Sequence, residues 1–183
     1  SVDKKTVAVI VYPMNALINS QFKALKDYKD AFEKNGDTFP ITFGQYTGQE
    51  NEAIREEMRN NPPHIVLTNY MMLELIMTRA GRDIELRKNI LDHIEYLVFD
   101  ELHTYRGRQG ADVSMLIRRI KSEAKHPIKC IGTSATMVSN DSASLNEQKQ
   151  EVAKVGSQIF GTDIGPEQIV YEYLVRSISP STA

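Results

Sequence analysis

The sequence predicts an α/β domain, a three-layer sandwich in which helices cover both faces of a mainly parallel sheet. Short β-branched runs that are apolar on both faces, such as TVAVIVY at Thr6–Tyr12, alternate with segments whose apolar residues recur at helical spacing. Strands that alternate with helices along a chain build a parallel sheet between helical layers. The composition agrees, since 41% apolar and 25% charged residues among 183 are typical of one globular domain.

The predicted strands share a run of β-branched and other apolar residues, bounded by residues that favour turns. Pro13 ends the first of them, because proline cannot donate a hydrogen bond to a sheet. The predicted strands are Thr6–Tyr12, Ile41–Gly44, His64–Thr68, Ile94–Phe99 and Pro127–Gly132, with Gln168–Ile178 as a candidate final strand that leads out of the domain.

The predicted helices share apolar residues three or four positions apart, with charged residues between them. Asn35-Gly36 closes the first helix and Gly161 the last, since both sites tolerate the backbone conformation that follows a helix. The predicted helices are Ala16–Phe32, Glu50–Asn60, Tyr70–Thr78, Asp83–Leu91, Gly110–Ala124 and Leu145–Phe160.

Charge and hydropathy exclude several classes of protein. The formal net charge of −2 excludes a strongly basic nucleic-acid coat but leaves room for a local binding patch. A single cysteine, Cys130, excludes a disulfide scaffold and suits a reducing cytosol, so we expect a cytoplasmic protein. The longest apolar run, Val7–Tyr12, is far shorter than the roughly 20 residues of a transmembrane helix, and we expect no membrane partner.

Polar residues follow four of the predicted strands, at the sheet edge where α/β proteins bind their ligands. The strongest chemical signal is the pair Asp100-Glu101, because an acidic pair after a buried strand is costly unless something compensates its charge. Magnesium does so in nucleotide hydrolases, although the pair is also explained as a polar start of a loop. The four segments are Pro13-Met14-Asn15, Thr68-Asn69, Asp100-Glu101-Leu102-His103 and Thr133-Ser134-Ala135-Thr136.

Five segments, taken in order, resemble the first RecA-like domain of superfamily 2 DExH-box helicases. Their order matches motif Ia, the small glycine-containing motif after it, and motifs Ib, II and III. The extension DELHTYRG, at 100–107, is similar to the bacterial YprA/MrfA-like branch. The five segments are YPMNAL (12–17), YTG (46–48), VLTN (66–69), VFDELH (98–103) and TSAT (133–136).

The resemblance implies ATP and Mg²⁺ as cofactors and a role for each matching residue. Asp100 would contact the Mg²⁺ of bound Mg-ATP, Glu101 would act as the catalytic base for water, and His103 would couple the nucleotide site to motif III. Ser134-Ala135-Thr136 would link the ATP state to the grip on nucleic acid. The track for nucleic acid, DNA by preference with RNA as the alternative, would be lined by Pro13, Asn15, Gly48, Thr68 and Asn69.

Simpler interpretations exist for some of these residues. Taken alone, Pro13 is explained as the end of a strand and Asn69 as a helix cap. Ser134-Ala135-Thr136 is equally explained as a turn or a cap.

The sequence departs from the family pattern because it contains no G-x-x-x-x-G-K-[ST], the loop that wraps the phosphates. We expect that loop upstream of Ser1, and we expect a second RecA-like domain of the same polypeptide after Ala183. Residues 1–165 would then be part of the first domain, and residues 166–183 an exit segment. A chain of this kind would be the inactive fragment of an ATP-dependent helicase or translocase.

Two other hypotheses belong to different functional classes. The chain could be a RecA-like binding module for nucleic acid or protein that has lost ATPase activity, although such a module has no chemical need for Asp100, Glu101, Ser134 or Thr136. A metal-dependent nuclease would need further carboxylates or histidines to build a two-metal site.

Overall fold

The computed structural model describes residues 4–79, 81–134 and 144–170. Five strands form an all-parallel sheet in the order β2-β3-β1-β4-β5, which confirms the predicted fold class. The strands are β1 (Ala8–Tyr12), β2 (Phe43–Tyr46), β3 (Ile65–Asn69), β4 (Tyr96–Phe99) and β5 (Lys129–Gly132). The helices are α1 (Asn15–Glu33), α2 (Glu52–Asn60), α3 (Tyr70–Thr78), α4 (Ile84–His93), α5 (Gly107–Glu123) and α6 (Leu145–Phe160), with short 3-10 turns at Leu102–Thr104 and Pro166–Gln168.

Helices lie on both faces of the sheet and divide the apolar core into two clusters. Alternate residues of β1 point to opposite faces, so Val9 and Val11 enter the larger cluster, which α2 to α6 complete. Tyr12 and Leu67 enter the smaller cluster with Ile18 of α1. The three layers of the predicted sandwich are therefore present.

Some element boundaries differ from the predicted ones because strand pairing or a helix cap decides them. β2 begins at Phe43 instead of Ile41, because its pairing register with β3 runs from Phe43 opposite Ile65 to Tyr46 opposite Thr68. Ile94, predicted as the start of a strand, instead caps α4 by donating its backbone N–H to Ile90, 2.8 Å away. Gln168 lies in a 3-10 turn, and the rest of the predicted final strand from residue 171 lies outside the described residues.

The sheet is less covered around β4 and β5 than around the other strands. Within the described ranges, β5 pairs with β4 alone and its outer edge has no strand partner. α1 packs against β1, β2 and β3. On β4 and β5, by contrast, Tyr96 is 36% exposed and Ile131 is 45% exposed, so apolar surface of the sheet is accessible there.

Among the described residues, no helix has both the length and the apolar composition required to span a membrane.

Candidate nucleotide and nucleic-acid site

The carboxyl ends of β4 and β5 are joined by hydrogen bonds around Thr133. The Thr133 hydroxyl donates to Asp100 Oδ1, and the Glu101 backbone N–H donates to the Thr133 hydroxyl at 3.2 Å. The backbone N–H of Leu102 donates to the Thr133 carbonyl at 2.8 Å. Because β4 and β5 are adjacent and parallel, residues 33 positions apart meet at one edge of the sheet. The sequence placed Asp100 and Thr133 at strand ends, but it did not indicate this direct contact.

Glu101 has a backbone conformation that few residues with a side chain adopt. Its φ is 54°, and no other non-glycine residue in the described part of the chain has a positive φ. This left-handed conformation costs roughly 1 to 2 kcal/mol for a residue with a Cβ. Strain of this kind is characteristic of functional sites. The left-handed conformation of Glu101 turns the chain sharply just after β4, directly beside Asp100.

The side chains of Glu101, His103 and Ser134 lie in contact. His103 Nδ1 lies 3.1 Å from Glu101 Oε2 and 3.1 Å from Ser134 Oγ. Glu101 Oε2 is nevertheless buried without a hydrogen bond from any described residue. The structure therefore brings together three of the predicted site residues, whereas Ala135 and Thr136 lie outside the described residues.

Asp100 and Glu101 fit a metal held together with a nucleotide better than a metal enclosed by protein. Among the described residues, no group of three or more His, Cys, Asp or Glu side chains could hold a metal ion. Magnesium in nucleotide enzymes is typically bound by one or two carboxylates, with phosphates and water completing the coordination. The Glu101 carboxylate, whose Oε2 lies 3.1 Å from His103 Nδ1, is chemically suited to accept a hydrogen bond from such a water.

Several residues of the predicted track line a cavity of about 410 Å³ at the same edge of the sheet. We call it the cavity of the track. Asn69 connects its walls, because the side-chain amide donates to Asn15 Oδ1 at 2.7 Å and to the Thr47 carbonyl at 3.3 Å. Asn69 Oδ1 also accepts from the Met72 backbone N–H and so caps α3. The helix-cap interpretation of Asn69 is thus correct and is compatible with a place in the cavity wall. Pro13 and Asn15 line this cavity as well.

Thr68 and Gly48 occupy different environments from each other. Thr68 is fully buried and donates its hydroxyl to the Tyr46 carbonyl at 2.7 Å, so its side chain does not reach the cavity. Gly48 is exposed and has a φ of +89°, in the region that favours glycine. A Cβ there would also lie 2.9 Å from Met72 Sδ.

Sequence analysis missed Glu50, which it assigned to a surface helix. Its side chain is instead buried before α2 begins, and it holds the loop that contains Gly48. One carboxylate accepts from the Thr47 backbone N–H at 3.0 and 2.9 Å, from the Thr47 hydroxyl at 2.6 Å and from the Gly48 backbone N–H at 3.0 Å. The spacing T-G-Q-E was the available signal, since a carboxylate three residues after a turn can accept from its backbone.

Tyr105 lies between the cavity of the track and another cavity beside His103. It lines both, and its ring packs edge-on against Phe99 with 5.7 Å between centroids. Burial, and then the nearby Asp100 carboxylate, raises the pKa of Tyr105 well above its usual value. The same two causes, in the same order, raise the pKa of Tyr12. Both phenols therefore stay neutral beside the acidic pair. Sequence reasoning did not distinguish Tyr105 from an ordinary packed residue.

Comparisons with known proteins show the family to which this chain belongs. The profile of the family described as DEAD/DEAH box helicase matches residues 1–144. The chain is 36% identical over 120 residues to the ATP-dependent helicase YprA of Bacillus subtilis, which covers 65% of this chain and 15% of YprA. It is 36% identical over 97 residues to the Druantia protein DruE of Escherichia coli, covering 45% of this chain and 5% of DruE.

Among solved structures, the crystal structure of the DUF1998 helicase MrfA bound to DNA and AMPPNP matches with a TM-score of 0.63 and 26% identity. That match covers 87% of this chain and 20% of the MrfA chain. The chain therefore spans a small part, between 5% and 15%, of the two curated relatives above.

Proposed function

The chain belongs to the DEAD/DEAH box helicase family, and we propose that it is part of the first motor domain of an ATP-dependent DNA helicase or translocase. The observation that carries this proposal is the arrangement after β4, where Glu101 in a left-handed conformation follows Asp100 and its carboxylate lies 3.1 Å from His103 Nδ1. A domain that only binds a partner has no use for this costly arrangement.

In the proposed reaction, Asp100 would hold Mg²⁺, and the ion would supply positive charge to offset that of the phosphates. Glu101 would orient the attacking water and accept its proton. The Thr133 hydroxyl fixes Asp100 by donating to Oδ1, and the contact of His103 with Ser134 joins the acidic pair to the end of β5. Tyr105 separates this region from the cavity lined by Asn15 and Asn69, through which the nucleic-acid strand would pass.

The proposed track recognises the backbone of the strand and not its bases. α1 begins at Asn15, and backbone N–H groups at a helix N-terminus bind phosphates without reading sequence. Pro13, Gly48 and Asn69 would shape the path of the strand, and the Asn69 amide holds Asn15 in place. Thr68, being buried, positions the ends of β2 and β3 through its bond to the Tyr46 carbonyl. We prefer DNA over RNA because the MrfA structure that matches this chain contains DNA.

We also propose that the domain is completed by sequence outside this chain and is inactive without it. The unpaired edge of β5 and the exposed Tyr96 and Ile131 support an additional strand and helix on that side. The phosphate-binding loop would belong to those elements, since the 183 residues contain no G-x-x-x-x-G-K-[ST].

The test is to extend the chain in both directions with its natural coding sequence and to measure Mg²⁺-dependent ATP hydrolysis. We expect turnover in the extended protein and none in the 183-residue chain. Glu101→Gln should abolish turnover and leave ATP binding intact, whereas Glu95→Gln, at an exposed glutamate before β4, should change neither. An extended protein that binds DNA but hydrolyses no ATP would favour the binding module, and turnover by the short chain would refute its inactivity.

A further inference from the structure

A third cavity, of about 360 Å³, lies beyond the Gly48 loop and is rich in arginine. Tyr46 and Asp83 also line it, and the Tyr46 hydroxyl donates to Asp83 Oδ1 at 2.5 Å. Four arginines line this cavity against two carboxylates, those of Glu52 and Asp83. We call it the arginine pocket, and its arginines are Arg55, Arg59, Arg79 and Arg82.

Only one of the four arginines is fully engaged by acidic groups. Arg59 lies 2.5 Å from Glu52 Oε1 and 3.4 Å from Asp83 Oδ1. For Arg55, Arg79 and Arg82, no carboxylate of the described residues lies within ion-pair distance. Arg59 is the main cause of the lowered pKa of Glu52, and the more distant Arg82 and Arg55 add to it. A surplus of positive charge therefore remains in the pocket.

Arg55 connects the pocket to the loop of the track. Its Nη2 donates to the Gly48 carbonyl at 2.8 Å, while its Nε is buried without a hydrogen-bond partner among the described residues. Arg55 thus reaches the loop that the Glu50 carboxylate holds from the other side. The unsatisfied Nε is a donor that an anion in the pocket would engage.

The pocket also adjoins the cavity of the predicted track. Met72 lines both cavities, and its Sδ lies where a Cβ on Gly48 would contact it. A strand that leaves the cavity of the track beside Asn69 would pass Met72 on its way to Arg79 and Arg82, which line the arginine pocket. Both of these arginines are exposed, so a backbone can approach them without rearrangement of the fold.

We propose that the arginine pocket binds a backbone phosphate of the nucleic-acid strand as it leaves the track, an inference that rests on the proposed function. A guanidinium presents paired donors that match the oxygens of a phosphate, and it keeps its charge at all relevant pH values. The site would contribute affinity and register without sequence preference, because it meets phosphate and not base edges.

The experiment measures binding of a fluorescent single-stranded DNA to the extended protein, described above, by anisotropy over a series of salt concentrations. The arginine variant is Arg79→Ala/Arg82→Ala, and the matched control is Arg119→Ala/Lys154→Ala, which removes two exposed charges from α5 and α6. Each phosphate contact with a single strand contributes about 0.7 to the slope of log affinity against log salt. We expect the arginine variant to bind severalfold more weakly, with a slope lower by about 0.7 because one phosphate contact is lost, and the control to bind like wild type.

Asn69→Ser, which keeps a cap acceptor but loses the amide donors, separates this inference from the proposed function. If Asn69→Ser weakens binding while the arginine variant behaves like the control, the track stands and the arginine pocket is wrong. If the extended wild-type protein binds no DNA or RNA oligonucleotide at low salt, both proposals fall. If the arginine variant binds DNA like the control but loses binding to poly-glutamate, the pocket is a site for an acidic protein and the phosphate proposal is wrong.

Discussion

His103 Nδ1 lies 3.1 Å from Ser134 Oγ, which places a contact between two side chains 31 residues apart across the ends of β4 and β5. The same nitrogen lies 3.1 Å from Glu101 Oε2. A displacement of Ser134 would therefore move the imidazole ring of His103 and, through it, the Glu101 carboxylate. This geometry predicts that His103 acts in communication and not in the chemical step.

We expect His103→Ala, in the extended protein, to reduce the stimulation of ATP hydrolysis by single-stranded DNA severalfold. The rate without DNA should fall less, because Asp100 and Glu101 keep their own backbone and Thr133 contacts. His126→Ala, at an exposed histidine before β5, is the control. Equal losses with and without DNA would assign His103 to hydrolysis itself.

Replacement of Glu101 by glycine should relieve the strain of its left-handed backbone. Glu101→Ala and Glu101→Gly both remove the carboxylate, but only glycine adopts a φ of 54° without a Cβ clash. We expect the glycine variant to be more stable than the alanine variant by about 1 kcal/mol in urea unfolding. Equal stabilities would mean that this backbone conformation is not maintained in solution.

Glu50→Gln should destabilise the chain and disturb the Gly48 loop. The carboxylate accepts bonds from Thr47 and Gly48 through both oxygens, and an amide nitrogen in place of one oxygen would face N–H donors. A loss of about 1 to 3 kcal/mol is expected for unsatisfied buried donors, together with weaker DNA binding. Glu56→Gln, on the exposed face of α2, should leave both quantities unchanged. Unaltered unfolding of Glu50→Gln would show that the loop does not depend on this carboxylate.

Tyr46 should make the stability of the fold sensitive to alkaline pH. Burial first, and then the hydrogen bond to Asp83, raises the pKa of Tyr46 from 10.0 to about 12. Because the folded state holds this proton more tightly than the unfolded state, the stabilisation is complete below pH 10 and is lost as the pH rises through about 12. Tyr46→Phe removes the titrating group and leaves the other tyrosines and lysines in place.

Urea unfolding of wild type and Tyr46→Phe across that pH interval measures the effect. Wild type should lose on the order of 1 kcal/mol more than the variant, because only wild type must release the tightly held Tyr46 proton in this interval. Parallel pH profiles for the two proteins would contradict the role assigned to the Tyr46–Asp83 bond.

Much of the fold could be predicted because its signals are local. The apolar periodicity of α3 and α6 gives the observed limits, Tyr70–Thr78 and Leu145–Phe160. The strand that contains Val9 and Val11 was recognisable because both of its faces are apolar. The limits of β2 and β4 were less predictable. The limits of β2 depend on its pairing register with β3, which lies on a distant part of the chain. β4 begins later than predicted because Ile94 caps α4.

The sequence by itself determined which residues stand at the strand ends, because Asp100, Glu101, Asn69 and Ser134 follow apolar runs directly. Only the tertiary structure decided what those residues touch. It buries Glu50 against the Gly48 loop, turns Glu101 into a left-handed conformation and joins Tyr46 to Asp83 across 37 residues. Contacts of this kind depend on strand order and on how helices cross the sheet, and no periodicity in the chain encodes the distance between side chains that lie on different elements.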